Sequence, residues 1–218
     1  MYSLYPYPIF RKMIFPFFRF LINDVKGEKN LPEKGPYIVV ANHRSAFDPY
    51  FMSTLIIPRI KRKVNFFSVK VKYLSFPGNW LARQWAGCII VDPKNKGESV
   101  KQAIRFLKRK KVVGIFPEGR SHKEKKLLKS KTGLARILIE ENVPVIPVGI
   151  NNTISTSFEK AFFQTFFLRS GRVSISIGEP IHFDSSSLPK EADKEELDKI
   201  TRVVMKEIGK LANLPYNY

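Results

Sequence analysis

The chain has 218 residues, of which 44% are apolar, enough to fill a core and too many for a disordered chain. Its 38 lysines and arginines against 19 aspartates and glutamates leave a formal net charge of +19, which points to an anionic partner: a lipid surface, a nucleic acid or a polyanionic substrate. The single cysteine, Cys88, excludes a disulfide framework within the chain and suits a reducing compartment; its apolar setting reads as a buried, inert thiol.

Residues 10–22 mix phenylalanines with Arg11, Lys12 and Arg19. The run falls short of the ~20 apolar residues that span a bilayer. It also lacks the uncharged centre and small-residue cleavage site of a signal peptide. Such a mixture suits an amphipathic helix lying in a lipid interface. Residues 1–27 are therefore read as an N-terminal membrane-interface segment and 28–218 as one domain. A turn cluster at 31–36 leads into an apolar, β-branched run at 37–41, a buried strand. Asp48 and Pro49 then supply an N-cap and a first-turn proline, opening a helix through Phe51, Leu55 and Ile56.

Further strands are expected at 64–69, 88–91, 112–116, 143–150 and 172–177. Helices are expected at 80–85, 100–110, 132–141 and 191–211, the last with Leu197, Ile200, Val204, Ile208 and Leu211 at helical spacing. Pro144 and Pro147 remove ladder donors, so the strand they bracket is expected to start or border the sheet. Phe162, Phe163, Phe166 and Phe167 form a second aromatic cluster, open to a core or a membrane role. Strands alternating with amphipathic helices predict an α/β fold, a largely parallel sheet flanked by helices, preceded by the aromatic helical segment.

Among three histidines, His43 alone follows a buried strand directly, with Asp48 five residues on. Functional groups of α/β folds collect at the carboxyl ends of strands. An imidazole held in one tautomer by a carboxylate is a general base near neutral pH. A second strand end carries Phe116-Pro-Glu-Gly-Arg120, in which a glycine frees the backbone and an arginine offers a fork for phosphate oxygens. Three basic runs, at 59–72, 101–111 and 120–131, suggest one basic side of the molecule.

Asn42-His43-Arg-Ser-Ala-Phe-Asp48 resembles the N-H-x-x-x-x-D block of the glycerolipid acyltransferases, a family that includes the lysophosphatidate acyltransferases. Phe116-Pro-Glu-Gly resembles that family's F-P-E-G-T-R-S block, and Val143-Pro-Val-Ile-Pro147 its V-P-[IV]-[IV]-P block. Ser68-Val-Lys70 and Gly87-Cys-Ile-Ile-Val-Asp92 resemble the middle blocks, and all occur in the family's order over about residues 28–180. Two departures stand out. Pro93 occupies a position where the family has arginine, and the arginine after Phe-Pro-Glu-Gly comes one residue early.

The resemblance implies an O-acyltransferase with His43 as base and Asp48 as its orienting partner. Lys70, Glu118, Gly119 and Arg120 would bind the acceptor and its phosphate. The expected reaction moves a fatty acyl group from acyl-coenzyme A or an acidic acyl carrier protein to a lysophospholipid, 1-acyl-glycerol-3-phosphate giving phosphatidic acid. Acyl-coenzyme A or the carrier protein enters as a substrate, and no bound cofactor or metal is expected. The partners are then an anionic membrane surface and the lysolipid, not nucleic acid, at the cytoplasmic face in a peripheral or monotopic manner. The same chemistry on another lysolipid or an aminolipid is the main alternative. A basic membrane- or nucleic-acid-binding protein without catalysis is the other.

Overall fold

The computed structural model describes residues 12–13, 15–69, 87–92, 94–167, 171–189 and 191–218. Lys70, Pro93 and the helix expected at 80–85 lie outside the described residues. The strands are β1 (Ile22–Lys26), β2 (Tyr37–Ala41), β3 (Val64–Val69), β4 (Ile89–Val91), β5 (Val112–Ile115), β6 (Val145–Asn152) and β7 (Val173–Ile177). The helices are α1 (Phe15–Leu21), α2 (Asp48–Ile60), α3 (Lys96–Lys108), α4 (Gly133–Glu140), α5 (Phe158–Phe166) and α6 (Lys194–Ala212).

The described strands form one sheet in the order β1-β7-β6-β2-β5-β3-β4. Strands β2 to β6 all run parallel, while β7 pairs antiparallel with β6 and parallel with β1. All five residues of β2 are buried because both faces of the sheet are covered, so its run is continuously apolar rather than alternating. Tyr37, Val39 and Ala41 face a core shared with α1, α2 and α5. Ile38 and Val40 face a second core with α3, α4 and α6.

Strand β6 does not border the sheet as its prolines suggest; it lies between β7 and β2. The reason is local. Val145 pairs with Ile181, whereas Val148 pairs with Ile177, so the register of the second partner slips by one between them. Pro147 sits in that slip, its carbonyl accepting from the Gly178 amide, and its missing N–H falls where the ladder is already broken.

Asp48 is the first residue of α2 rather than its cap; the N-cap position is Phe47, and no side chain caps the helix there. The chain from residue 15 is continuous with the sheet. Phe15, Phe18 and Leu21 of α1 are buried, and β1 follows immediately as the edge strand beside β7. Helix α6 is framed by a reciprocal capping box between Asp193 and Glu196 and by Asn213 in the left-handed region.

Candidate active site

Parallel pairing decides what meets at the carboxyl edge of the sheet. Val40 of β2 lies beside Ile115 of β5, and Ala41 beside Val148 of β6. The segments that follow β2 and β5 therefore emerge next to each other and next to the end of β6. Asn42 extends the ladder: its side-chain amide donates to the Ile150 carbonyl (2.9 Å) and its side-chain oxygen accepts the Ile150 amide (2.7 Å).

His43 Nδ1 lies 2.8 Å from Asp48 Oδ2. Asp48 is fully buried, and its carboxylate is surrounded by donors. Oδ2 also accepts the amides of Arg44 (2.6 Å) and Ser45 (2.8 Å); Oδ1 accepts the Ser45 hydroxyl (2.6 Å) and the Asn152 amide group (2.8 Å). All of these groups donate, so both carboxylate oxygens serve as acceptors. With Asp48 as the acceptor, Nδ1–H donates to Oδ2, which leaves Nε2 as the nitrogen free for a substrate hydroxyl. The His43 ring stacks on Phe116 at 4.3 Å between centroids, and Phe116 stacks on Phe66 at 5.7 Å. Gly114 makes this column possible, since a Cβ there would lie 2.2 Å from the Phe66 ring.

The Phe116–Gly119 segment is a turn closed by the Gly119 amide on the Phe116 carbonyl (3.0 Å). It turns Glu118 inward, where only 4% of the residue is exposed. Oε1 accepts the His43 amide (2.9 Å); Oε2 accepts the Leu128 amide (2.8 Å) and contacts His122 Nε2. His122 Nδ1 accepts the Glu124 amide (3.2 Å), so Nε2 carries the ring's proton and donates it to Glu118. The His122 amide closes the circuit on the His43 carbonyl (3.0 Å). Both peptide groups of His43 are thus held from the Phe-Pro-Glu-Gly segment and the residues just after it.

Gly119 adopts φ +73°, and a Cβ there would lie 2.3 Å from Lys131 Nζ, so the Lys131 side chain passes directly over the glycine. Arg120 is exposed and lies 3.8 Å from Glu124. Lys123 Nζ donates to the Asn152 carbonyl (2.8 Å) and side-chain oxygen (2.7 Å). Burial, with the neighbouring Arg44 charge, pushes its ammonium down to about 8.

His43, Asp48, Glu118, Gly119 and Arg120, all expected from the sequence, meet at this edge. Glu118, expected on the acceptor side, faces the scaffold, because its two oxygens are taken by three protein donors. Lys94, the cation that follows Pro93 and could stand in for the arginine missing there, lies beyond β4 at the far edge of the sheet, its amide bonded to the Asp92 side chain. Asn152, His122 and Lys131 are site residues that motif spacing does not reveal. Only the four-residue offset from Glu118 to His122 carries a signal. No group of His, Cys, Asp and Glu suited to a metal occurs among the described residues.

An acyltransferase family model matches residues 23–151. The 1-acyl-sn-glycerol-3-phosphate acyltransferase of Saccharomyces cerevisiae is 29% identical over 198 residues, 85% of this chain and 61% of its own. The alpha enzyme of the same name from Ovis aries is 25% identical, over 85% of this chain and 63% of its own. The chain thus spans about three fifths of these two relatives. The Bacillus subtilis protein of that name is 28% identical, over 87% of each chain. The crystal structure of the 1-acyl-sn-glycerophosphate (LPA) acyltransferase PlsC from Thermotoga maritima matches with a TM-score of 0.60 at 24% identity, covering 95% of this chain and 81% of that one, and speaks for the fold. The match to the family model runs through the two strand ends that carry His43 and Glu118 and through most of β6, over more than half of the sequence: the chain belongs to the acyltransferase family.

Proposed function

We propose that this protein transfers a fatty acyl group from an acyl thioester, of coenzyme A or an acyl carrier protein, to the hydroxyl of 1-acyl-glycerol-3-phosphate, giving phosphatidic acid. The observation that carries the reading is the 2.8 Å contact of His43 Nδ1 with a buried Asp48 that is held by four further donors. His43 Nε2 takes the proton of the acceptor hydroxyl as its oxygen attacks the thioester carbonyl. The C–S bond breaks, the thiolate leaves, and the imidazolium, stabilised by Asp48, returns the proton to sulfur. No acyl-enzyme forms in this scheme.

The acceptor phosphate is gathered by cations along the Phe-Pro-Glu-Gly segment. The exposed Arg120 and the Lys131 side chain over Gly119 support this reading, together with Lys123 on Asn152 and Lys70, carried from the resemblance. Glu118 acts as a positioning residue for His43, not as a ligand of an anion. No helix among the described residues is long and apolar enough to cross a membrane. Of the N-terminal segment read as interfacial, β1 belongs to the sheet and α1 buries Phe15, Phe18 and Leu21, so the interfacial reading is kept for the residues ahead of β1 through the exposed side of α1. The net charge of +19 favours an anionic, cytoplasmic lipid face. Pro93, standing where the family has arginine, favours a second reading: the same chemistry on another lysolipid.

The test is acyl transfer by purified protein from labelled acyl-coenzyme A and acyl-carrier thioesters to a panel of lysolipids, with His43→Ala as control. Transfer to lysophosphatidate that vanishes in the folded variant is expected. Transfer to a different acceptor alone would move the substrate and keep the mechanism; normal activity of His43→Ala would overturn both.

A further inference from the structure

Helix α5 is built inside out. A helix on a soluble surface buries its large apolar residues and exposes small or polar ones. Here Ala161 and Thr165, four residues apart, are fully buried. Phe158, Phe162 and Phe163, with Phe167 at the helix's C-cap, are instead 55%, 43%, 54% and 68% exposed. Four phenylalanines at those fractions leave on the order of 400 Å² of aromatic surface in water, a patch of the size that marks an interaction site.

The patch continues beyond α5. Phe17 of α1 stacks on Phe166 at 4.6 Å, and Phe162 packs on Phe166 at 4.7 Å. On α1 itself Phe20 is 80% exposed. The same elements carry exposed cations: Lys12 ahead of α1, Arg19 within it, Lys160 within α5 and Arg172 shortly after it; Glu159, which accepts from the Ser157 hydroxyl, lies among them. Large aromatic rings edged with lysine and arginine fit the headgroup level of an anionic bilayer, where rings sink past the carbonyls and cations meet phosphates. The chain's charge of +19 favours that surface over a generic apolar protein partner.

The patch also adjoins the site. Phe158 packs edge-on against Phe47 at 5.5 Å, the residue before Asp48, and the Ala46 amide donates to the Ser155 carbonyl just ahead of α5.

We propose that the exposed phenylalanine face of α5, together with Phe20 of α1, is a membrane-docking surface that inserts into an anionic bilayer and sets the His43–Asp48 loop at the lipid interface. The proposal deepens the lysolipid reading above, because an acceptor with an acyl chain then reaches His43 from the bilayer without crossing water.

The experiment places a tryptophan at the patch and reads vesicle binding without any transfer reaction. The whole chain carrying Phe163→Trp is mixed with vesicles of phosphatidylcholine and phosphatidylglycerol in equal parts, with bromine-labelled acyl chains as quenchers. The expected result is a blue shift of the added tryptophan's emission over the parent protein, with quenching by the brominated chains. The Phe162→Ser/Phe163→Ser protein should keep its circular dichroism and melting transition and lose roughly tenfold or more in vesicle affinity.

Vesicle binding that leaves the introduced tryptophan's emission unshifted and unquenched would overturn the proposal, as would no binding at all. A blue shift that appears without lipid as protein concentration rises would assign the face to a second copy and overturn it equally. Failure of acyl transfer with docking intact would strike the lysolipid reading and spare this one.

Discussion

Asn152 donates to the buried carboxylate of Asp48 across 2.8 Å from a position 104 residues further along the chain. The same side chain accepts from Lys123 through its oxygen, so the orienting carboxylate of the site is tied to β6 and to the basic loop at once. Replacing Asn152 with alanine removes one donor from a carboxylate that stays buried, a loss of about 1–3 kcal/mol. The expected outcome is a fall in kcat of roughly tenfold to a hundredfold with little change in KM for the acceptor. Steady-state kinetics on the folded variant checks it.

Glu118→Gln tests the positioning role. All three partners of this carboxylate, the amides of His43 and Leu128 and Nε2 of His122, are donors. A glutamine must turn an NH2 group toward at least one of them. A loss of about 2 kcal/mol is expected, or roughly 6 °C in Tm for a chain of this size. The rate should fall with it, since the His43 peptide is no longer held. An unchanged Tm in a thermal melt would remove Glu118 from the scaffold.

Lys131→Met separates binding from chemistry. The variant should raise KM for a phosphate-bearing acceptor roughly tenfold and leave kcat within about twofold. An acceptor lacking the phosphate should show no such difference between the two proteins. The arrangement over Gly119, with no Cβ in the way, is the reason for choosing this lysine rather than another of the many.

Burial, with the Arg44 charge beside it, pushes the ammonium of Lys123 down to about 8. A lysine is charged below its pKa and neutral above it, so this cation is present at neutral pH and lost as pH rises through about 8. Acceptor KM in the parent protein should therefore climb between about pH 7 and pH 9. In Lys123→Arg the charge persists, and the profile over the same window should be flatter. Parallel profiles would show that another group governs it.

Much of this is readable in the residues. Strand β2 and helix α2 are bracketed by a turn cluster and by Asp48-Pro49, and apolar runs with such punctuation leave little choice. His43 and Asp48 are legible because a strand end and a spacing of five bring them close. Other parts depend on partners far along the chain. The Ile22–Lys26 segment holds Asn23 and Asp24 and has no strand pattern of its own; pairing with Val173–Ile177 makes it one. Helix α5 is hidden because its hydrophobic pattern is inverted. His122 acquires its meaning only when the turn at Gly119 folds it back against Glu118. Pro147 misleads because a register slip in a neighbouring strand cannot be seen from β6 alone.

Asn42 grips both the amide and the carbonyl of Ile150, doing with a side chain what a peptide group does elsewhere in the sheet. Two residues later along β6, Asn152 holds the other end of the His43–Asp48 loop. One strand therefore suspends the loop at both ends, and the alignment of imidazole with carboxylate is inherited from the alignment of two strands. A drift of β6 against β2 would detune both supports together, so the reactive geometry is calibrated by the sheet itself, and any change that loosens that pairing is felt first as lost chemistry.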